Sequence, residues 1–215
     1  MRNNLFKCIK ALTLLCITLV LVACSSAPKL AAIPAGATVL ILGDSLSYGT
    51  GAAEGQDYPS LLAQHSGWEI INAGIPGNTS AQGLARLPGL LDDYQPALLM
   101  IELGGNDFLR KIAVSETEAN LRAIIQAVKL KRIPTVLIAI PDYQPAKAAF
   151  GGLDDHPLYA KLAEETQTTL VTELFSPVLS TGALKADYVH PNAAGYQVVA
   201  DSLRESLEEL GLLAE

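Results

Sequence analysis

From residue 37 onward, short apolar runs alternate with amphipathic stretches. Thr38-Val39-Leu40-Ile41-Leu42, closed by Gly43, is a continuous β-branched-rich run with the pattern of a strand buried on both faces. Glu69-Ile70-Ile71-Asn72, Ala97-Leu98-Leu99-Met100-Ile101 and Thr135-Val136-Leu137-Ile138-Ala139-Ile140 repeat the pattern, and Thr169-Leu170-Val171 is a weaker fifth. Between them, helical spacing predicts helices at about 58–65, 81–93, 116–131, 158–168 and 193–210. Ser115-Glu116-Thr117-Glu118 has the Ser-x-x-Glu form of a capping box and sets the expected start of the third helix. Lys129, Lys131 and Arg132 close it, where cations suit the negative end of a helix dipole. Strands alternating with helices predict one α/β domain over 37–215: a three-layer α/β/α, flavodoxin-like fold around a parallel sheet of about five strands.

Composition narrows the function classes. The chain has 215 residues, 50% hydrophobic and 17% charged, with a formal net charge of −7. That excludes a disordered chain, and the acidic balance argues against a nucleic-acid partner, whose phosphates need a basic face. All three cysteines, Cys8, Cys16 and Cys24, precede the predicted fold, so its body has no disulfide framework. The isolated histidines, with no His-x-x-x-His spacing, supply no zinc site, and no cofactor is called for. Gly49-Thr50-Gly51-Ala52-Ala53-Glu54 fails the dinucleotide fingerprint at its last position.

The first residues read as a leader. Arg2, Lys7 and Lys10 form a positive region, followed by an uncharged stretch from Ala11 to Cys24. That stretch is shorter than the roughly 20 residues of a spanning helix and fits a secretory signal peptide. It ends in Leu21-Val22-Ala23-Cys24, which resembles the lipobox of bacterial lipoproteins. The resemblance implies a signal peptide over 1–23, lipidation of Cys24 and a tether over 24–36. It also implies a bacterial envelope protein held by its lipid, and Ser25 after the cysteine points to the outer membrane facing the periplasm. Loss of the leader would bring the net charge to −10.

In parallel sheets, reactive groups gather on loops leaving the carboxyl ends of the strands. The first such loop is Gly43-Asp44-Ser45-Leu46-Ser47, where Ser45 can project its hydroxyl into a cleft or simply cap a helix. Ser47 stands where a Gly-x-Ser-x-Gly elbow would need glycine. A serine nucleophile needs a base. His65 ends a helix, His156 sits in Asp154-Asp155-His156, and His190 follows Asp187 by three residues just before the last helix. A carboxylate at that spacing can hold the imidazole tautomer while the other ring nitrogen faces the serine. Asn72 to Ser80 and Glu102-Leu103-Gly104-Gly105-Asn106-Asp107 offer the backbone and amide donors that an oxyanion requires.

Taken together, these blocks resemble the SGNH (GDSL-type) hydrolases, in particular the bacterial periplasmic thioesterase/lysophospholipase and arylesterase branch. The likeness runs from Val39 to about Leu210. It implies a catalytic Ser45, Asp187 and His190, with an oxyanion hole from the N–H groups of Ser45 and Gly77 and the Asn106 side chain. Asp44 and Asp107 are hydrogen-bonding structural residues by the same resemblance. The implied activity is hydrolysis of small-molecule or lipid carboxylic esters and thioesters without a metal. An O-acetyl esterase acting on envelope carbohydrate and a non-catalytic envelope lipoprotein are the alternatives. The loop 142–157, with Tyr143, Phe150 and the Gly151-Gly152 pair, is the candidate for substrate selection or a lid, against a plain surface connection.

Overall fold

The computed structural model describes residues 30–143, 147 and 152–214. The leader with Cys8, Cys16 and Cys24, the first part of the tether, and Phe150 and Gly151 of the selection loop lie outside them. Five parallel strands, β1 (Thr38–Gly43), β2 (Glu69–Gly74), β3 (Leu98–Glu102), β4 (Thr135–Ile138) and β5 (Thr169–Val171), form one sheet. Their order is β2-β1-β3-β4-β5, the flavodoxin-like arrangement. Register runs from Thr38 opposite Glu69 to Gly43 opposite Gly74, and from Val39 opposite Leu98 to Gly43 opposite Glu102.

The residue types explain the placement. Val39 to Leu42 and Leu98 to Ile101 are wholly buried in the two central strands, each large aliphatic contributing about 1.5–3 kcal/mol. β2, with Glu69 and Asn72 exposed, takes an edge. The helices are α1 (Ser45–Tyr48), α2 (Tyr58–Ser66), α3 (Ser80–Tyr94), α4 (Gly105–Leu109), α5 (Val114–Leu130), α6 (Leu158–Thr166), α7 (Ser176–Ser180) and α8 (Ala193–Glu209). α2 packs with α8, and α3 and α6 with α5, which gives the helical layers. Among the described residues no helix is long and apolar enough to cross a membrane.

One local expectation fails. The Ser115–Glu118 pattern does not cap α5: the helix begins at Val114, with Ala113 as its N-cap and no side-chain capping bond. Ser115 therefore already lies inside the first turn. The capping box is at α3, where the Thr79 side chain accepts from the Gln82 N–H and the Gln82 side chain takes the Thr79 N–H at 2.9 Å. β4 ends at Ile138 and α6 at Thr166, each two residues short of the pattern. Ile33 is buried at the N-terminal edge of the sheet, where its N–H meets Leu212 O and its carbonyl accepts from Trp68 Nε1.

The switch in strand order falls between β1 and β3. A crevice therefore opens beyond their carboxyl ends, where the chain continues into Ser45 and Asn106.

Candidate active site

Ser45 is the first residue of α1, where a helix leaves its N–H groups without intrahelical acceptors. Asp44 caps that turn, its Oδ1 accepting from Leu46 N at 3.0 Å. The Ser45 Oγ lies 2.9 Å from His190 Nε2, and His190 Nδ1 lies 2.8 Å from Asp187 Oδ2. Asp187 Oδ1 accepts the N–H groups of Val189 and His190 at 2.8 and 2.9 Å, which ties carboxylate and ring into one short loop. Burial pushes the Asp187 carboxyl up, but bonds from the His190 ring and the Val189 and His190 amides outweigh it and hold the group below its ordinary value. The loop is fixed in turn by Ala186 N to His190 O, by a Lys185–Pro191 bridge, and by Asn192 capping α8.

Gly77 sits in a tight turn after β2. Asn78 N bonds back to Ile75 O at 3.0 Å, with Pro76 second and Gly77, at φ 80°, third. This is the residue order of a type II turn, whose third position favours glycine. Asn106 Nδ2 donates to Asp44 Oδ2 at 2.8 Å and to Asn78 O at 3.0 Å, so both amide hydrogens have acceptors within the site. Asp107, fully buried, accepts from Ser80 N and Ser80 Oγ and thereby pins the start of α3 to α4.

The structure thus brings Ser45, Gly77, Asn106, Asp187 and His190 to one crevice, all but Asp187 lining a cavity of about 230 Å³. Pro76, Leu109, Ile140, Tyr143, Leu179 and Val189 form its apolar walls. A hydroxyl hydrogen-bonded to an imidazole that is itself paired with a carboxylate can lose its proton as it attacks a carbonyl. Among the described residues no group of three or more His, Cys, Asp or Glu is arranged to hold a metal ion.

The other two histidines lie elsewhere. His65 Nδ1 accompanies the Leu61 carbonyl on α2. The His156 ring stacks on Phe108, centroids 4.2 Å apart, and its Nδ1 accepts from Leu158 N. Burial pulls that imidazole below its ordinary value, against the Asp142 charge. The ends of the selection loop are zipped by the Pro141–Asp155 bridge and by Asp142 N to Asp154 O, and Tyr143 reaches the cavity wall.

Two polar residues of the site went unread in the sequence. Arg86, half-buried on α3, donates through Nε to Asn78 Oδ1 at 3.0 Å and through Nη2 to Gly43 O at 2.8 Å, joining the Gly77 loop to the end of β1. Glu102 lies fully buried beneath α1. Its signal was a lone acid closing the apolar strand Leu98-Leu99-Met100-Ile101.

Comparison with known proteins finds a matching family and several relatives. The profile of the GDSL-like Lipase/Acylhydrolase family matches residues 41–198. The chain is 38% identical over 180 residues to thioesterase 1/protease 1/lysophospholipase L1 of Escherichia coli K12, covering 80% of this chain and 84% of that protein. It is 33% identical over 200 residues to an arylesterase of Vibrio mimicus, covering 89% and 96%. Among solved structures, the psychrotrophic esterase EstA from Pseudoalteromonas, inhibited by monoethylphosphonate, aligns with a TM-score of 0.69 at 30% identity. That alignment covers 80% of this chain and 97% of EstA.

Proposed function

Since the chain belongs to the GDSL-like lipase/acylhydrolase family and is a serine esterase, we propose that Ser45 is its nucleophile, His190 its base and Asp187 the acid that orients the base. The observation that carries this reading is the relay from Asp187 Oδ2 through His190 to Ser45 Oγ, with separations of 2.8 and 2.9 Å, at the mouth of an apolar cavity. His190 takes the Ser45 proton as Oγ attacks the ester or thioester carbonyl. The N–H groups of Ser45 and Gly77 and the Asn106 amide receive the developing oxyanion, each donor worth on the order of 3 kcal/mol. Asn106 reaches that role by giving up its bond to Asn78 O while keeping the one to Asp44. His190 then protonates the leaving alcohol or thiol, and water activated the same way releases the acid.

The cavity is smaller than the roughly 300–1,000 Å³ of drug-sized ligand sites, and its walls are mainly apolar. It suits the first carbons of an acyl chain, with a longer chain continuing through the mouth. The test is a panel of p-nitrophenyl esters from acetate to palmitate, together with acyl thioester and lysophospholipid, on protein starting at Ser25. An optimum between butyrate and octanoate supports the acyl-ester reading. An optimum at acetate that collapses by butyrate favours a carbohydrate deacetylase instead.

We also infer from the leader pattern that Cys24 is lipidated and the protein resides in the outer membrane facing the periplasm. Palmitate labelling of the full chain, lost in Cys24→Ala, is the expected result; equal labelling of the variant would refute it.

A further inference from the structure

Beneath the turn that carries Ser45 lies a carboxyl group with no part in the acyl transfer. Glu102 closes β3 with no exposed surface. Its Oε2 accepts from Ser47 N at 3.0 Å and Asp44 N at 3.3 Å and lies 2.6 Å from Ser47 Oγ. Its Oε1 is buried with no hydrogen-bond partner among the described residues. Ser47 Oγ stands 2.7 Å from the buried Tyr58 hydroxyl, and Asn72 Nδ2 donates to Ser47 O at 2.7 Å. Gly43 leaves room for this packing: a Cβ there would meet Ser47 Oγ at 2.1 Å and Glu102 Oε2 at 2.8 Å.

Asp44 and Ser47 bracket Ser45 in the chain. One oxygen atom therefore holds the peptide N–H groups on both sides of the nucleophile. We propose that Glu102 is a positioning residue: by binding Asp44 N, Ser47 N and the Ser47 hydroxyl through Oε2, it fixes the pitch of α1 and so aims the Ser45 hydroxyl at His190 and the Ser45 N–H at the oxyanion. The inference rests on the reading of Ser45 as nucleophile. Burial, and then the Asp44 carboxylate beside it, hold the Glu102 carboxyl well above the ordinary carboxylate range. A neutral side chain of the same shape should therefore serve. Glutamine keeps a carbonyl oxygen for the three donors, whereas leucine fills the space and leaves them unpaired.

The experiment compares Glu102→Gln, Glu102→Leu and Ser47→Ala with the wild type for kcat, KM, melting temperature and the rate of fluorophosphonate labelling of Ser45. Misaiming the nucleophile by a fraction of an ångström acts on the chemical step, so Glu102→Leu should lower kcat by about 30- to 300-fold with KM within about threefold. Its labelling rate should fall in parallel. Glu102→Gln should stay within about fivefold of wild type, and Ser47→Ala, which loses one of three contacts, should fall between. A folded Glu102→Leu protein with wild-type kcat and labelling, or a Glu102→Gln protein as impaired as Glu102→Leu, overturns the proposal. If Glu102→Leu does not fold, Ser47→Ala with unchanged kcat does so. A wild-type protein that takes no label on Ser45 refutes the underlying reading; rapid labelling of wild type and Glu102→Leu alike refutes the clamp alone.

Discussion

Replacing Asp187 by asparagine should damage the enzyme more than deleting the side chain with alanine. Asp187 Oδ1 accepts two backbone N–H groups, from Val189 and His190, while Oδ2 faces His190 Nδ1. An asparagine must keep its single carbonyl oxygen on those two donors, since the opposite orientation would set its NH2 against them. The NH2 then points at Nδ1, which can only accept. The ring proton is driven to Nε2, the atom 2.9 Å from Ser45 Oγ that must offer a lone pair. Reaching the reactive tautomer breaks that bond and opposes two donors, about 2–4 kcal/mol, and the imidazolium also loses its carboxylate. The expected fall in kcat is about 10³- to 10⁴-fold. With alanine no tautomer is enforced. The Asp187 side chain is 52% exposed, so water can accept from Nδ1–H, and the fall should be about 10²- to 10³-fold. The assay is kcat and KM for p-nitrophenyl butyrate, normalised to sites titrated with a fluorophosphonate. An asparagine variant as active as the alanine variant, or more so, would refute the tautomer argument.

Other outcomes follow from the same geometry. Gly77→Ala puts a Cβ on a residue at φ 80° and 3.3 Å from Arg110 Nη2, a strain of about 1–2 kcal/mol, so kcat should drop about 10- to 100-fold while KM moves little; an unchanged kcat would remove Gly77 from the oxyanion hole. His156→Ala loses the stack on Phe108, worth about 0.5–1.5 kcal/mol, so the melting temperature should fall while kcat stays within about threefold; a loss as deep as that of His190→Ala would move the base to His156. Burial pushes Asp44 up to about 6, against bonds from Leu46 and Asn106. Its folded value lies above its unfolded one, so Asp44 costs nothing below about pH 4 and destabilises increasingly as pH rises, by about 3 kcal/mol above pH 7. In urea unfolding, Asp44→Asn should therefore gain about that much on wild type between pH 4 and pH 7.5; a difference independent of pH would refute it.

The strands were legible because both faces of β1 and β3 are buried, which turns Val39 to Leu42 and Leu98 to Ile101 into unbroken apolar runs. Strand order was legible only through the fold class, since nothing in a run of Leu and Ile names its neighbour. Helix ends were read less well. Ser115–Glu118 and Thr79–Gln82 satisfy the same capping pattern, and only the path of the chain out of the preceding loop decides which one forms the box. At the site, the polar blocks after β1, β2 and β3 and the Asp187–His190 spacing stand out as patterns, but Gly77 and the individual roles are named only through the resemblance to the SGNH hydrolases. Arg86 and Glu102 escaped because half or more of their partners are backbone groups: Gly43 O for one, Asp44 N and Ser47 N for the other. A backbone partner leaves no complementary residue in the sequence, whereas Asp187 and His190 announce each other.

The proposed mechanism turns on one hydroxyl, that of Ser45, carrying the acyl group. Reaction of the Ser25–Glu215 protein with a fluorophosphonate, followed by peptide mass mapping and parallel ester assays of Ser45→Ala, tests it most directly. The expected result is one adduct, on the peptide containing Ser45, formed in step with loss of activity, and no ester hydrolysis above background in the variant. An adduct on another residue, or a Ser45→Ala protein that still turns over esters at a substantial fraction of the wild-type rate, would contradict it.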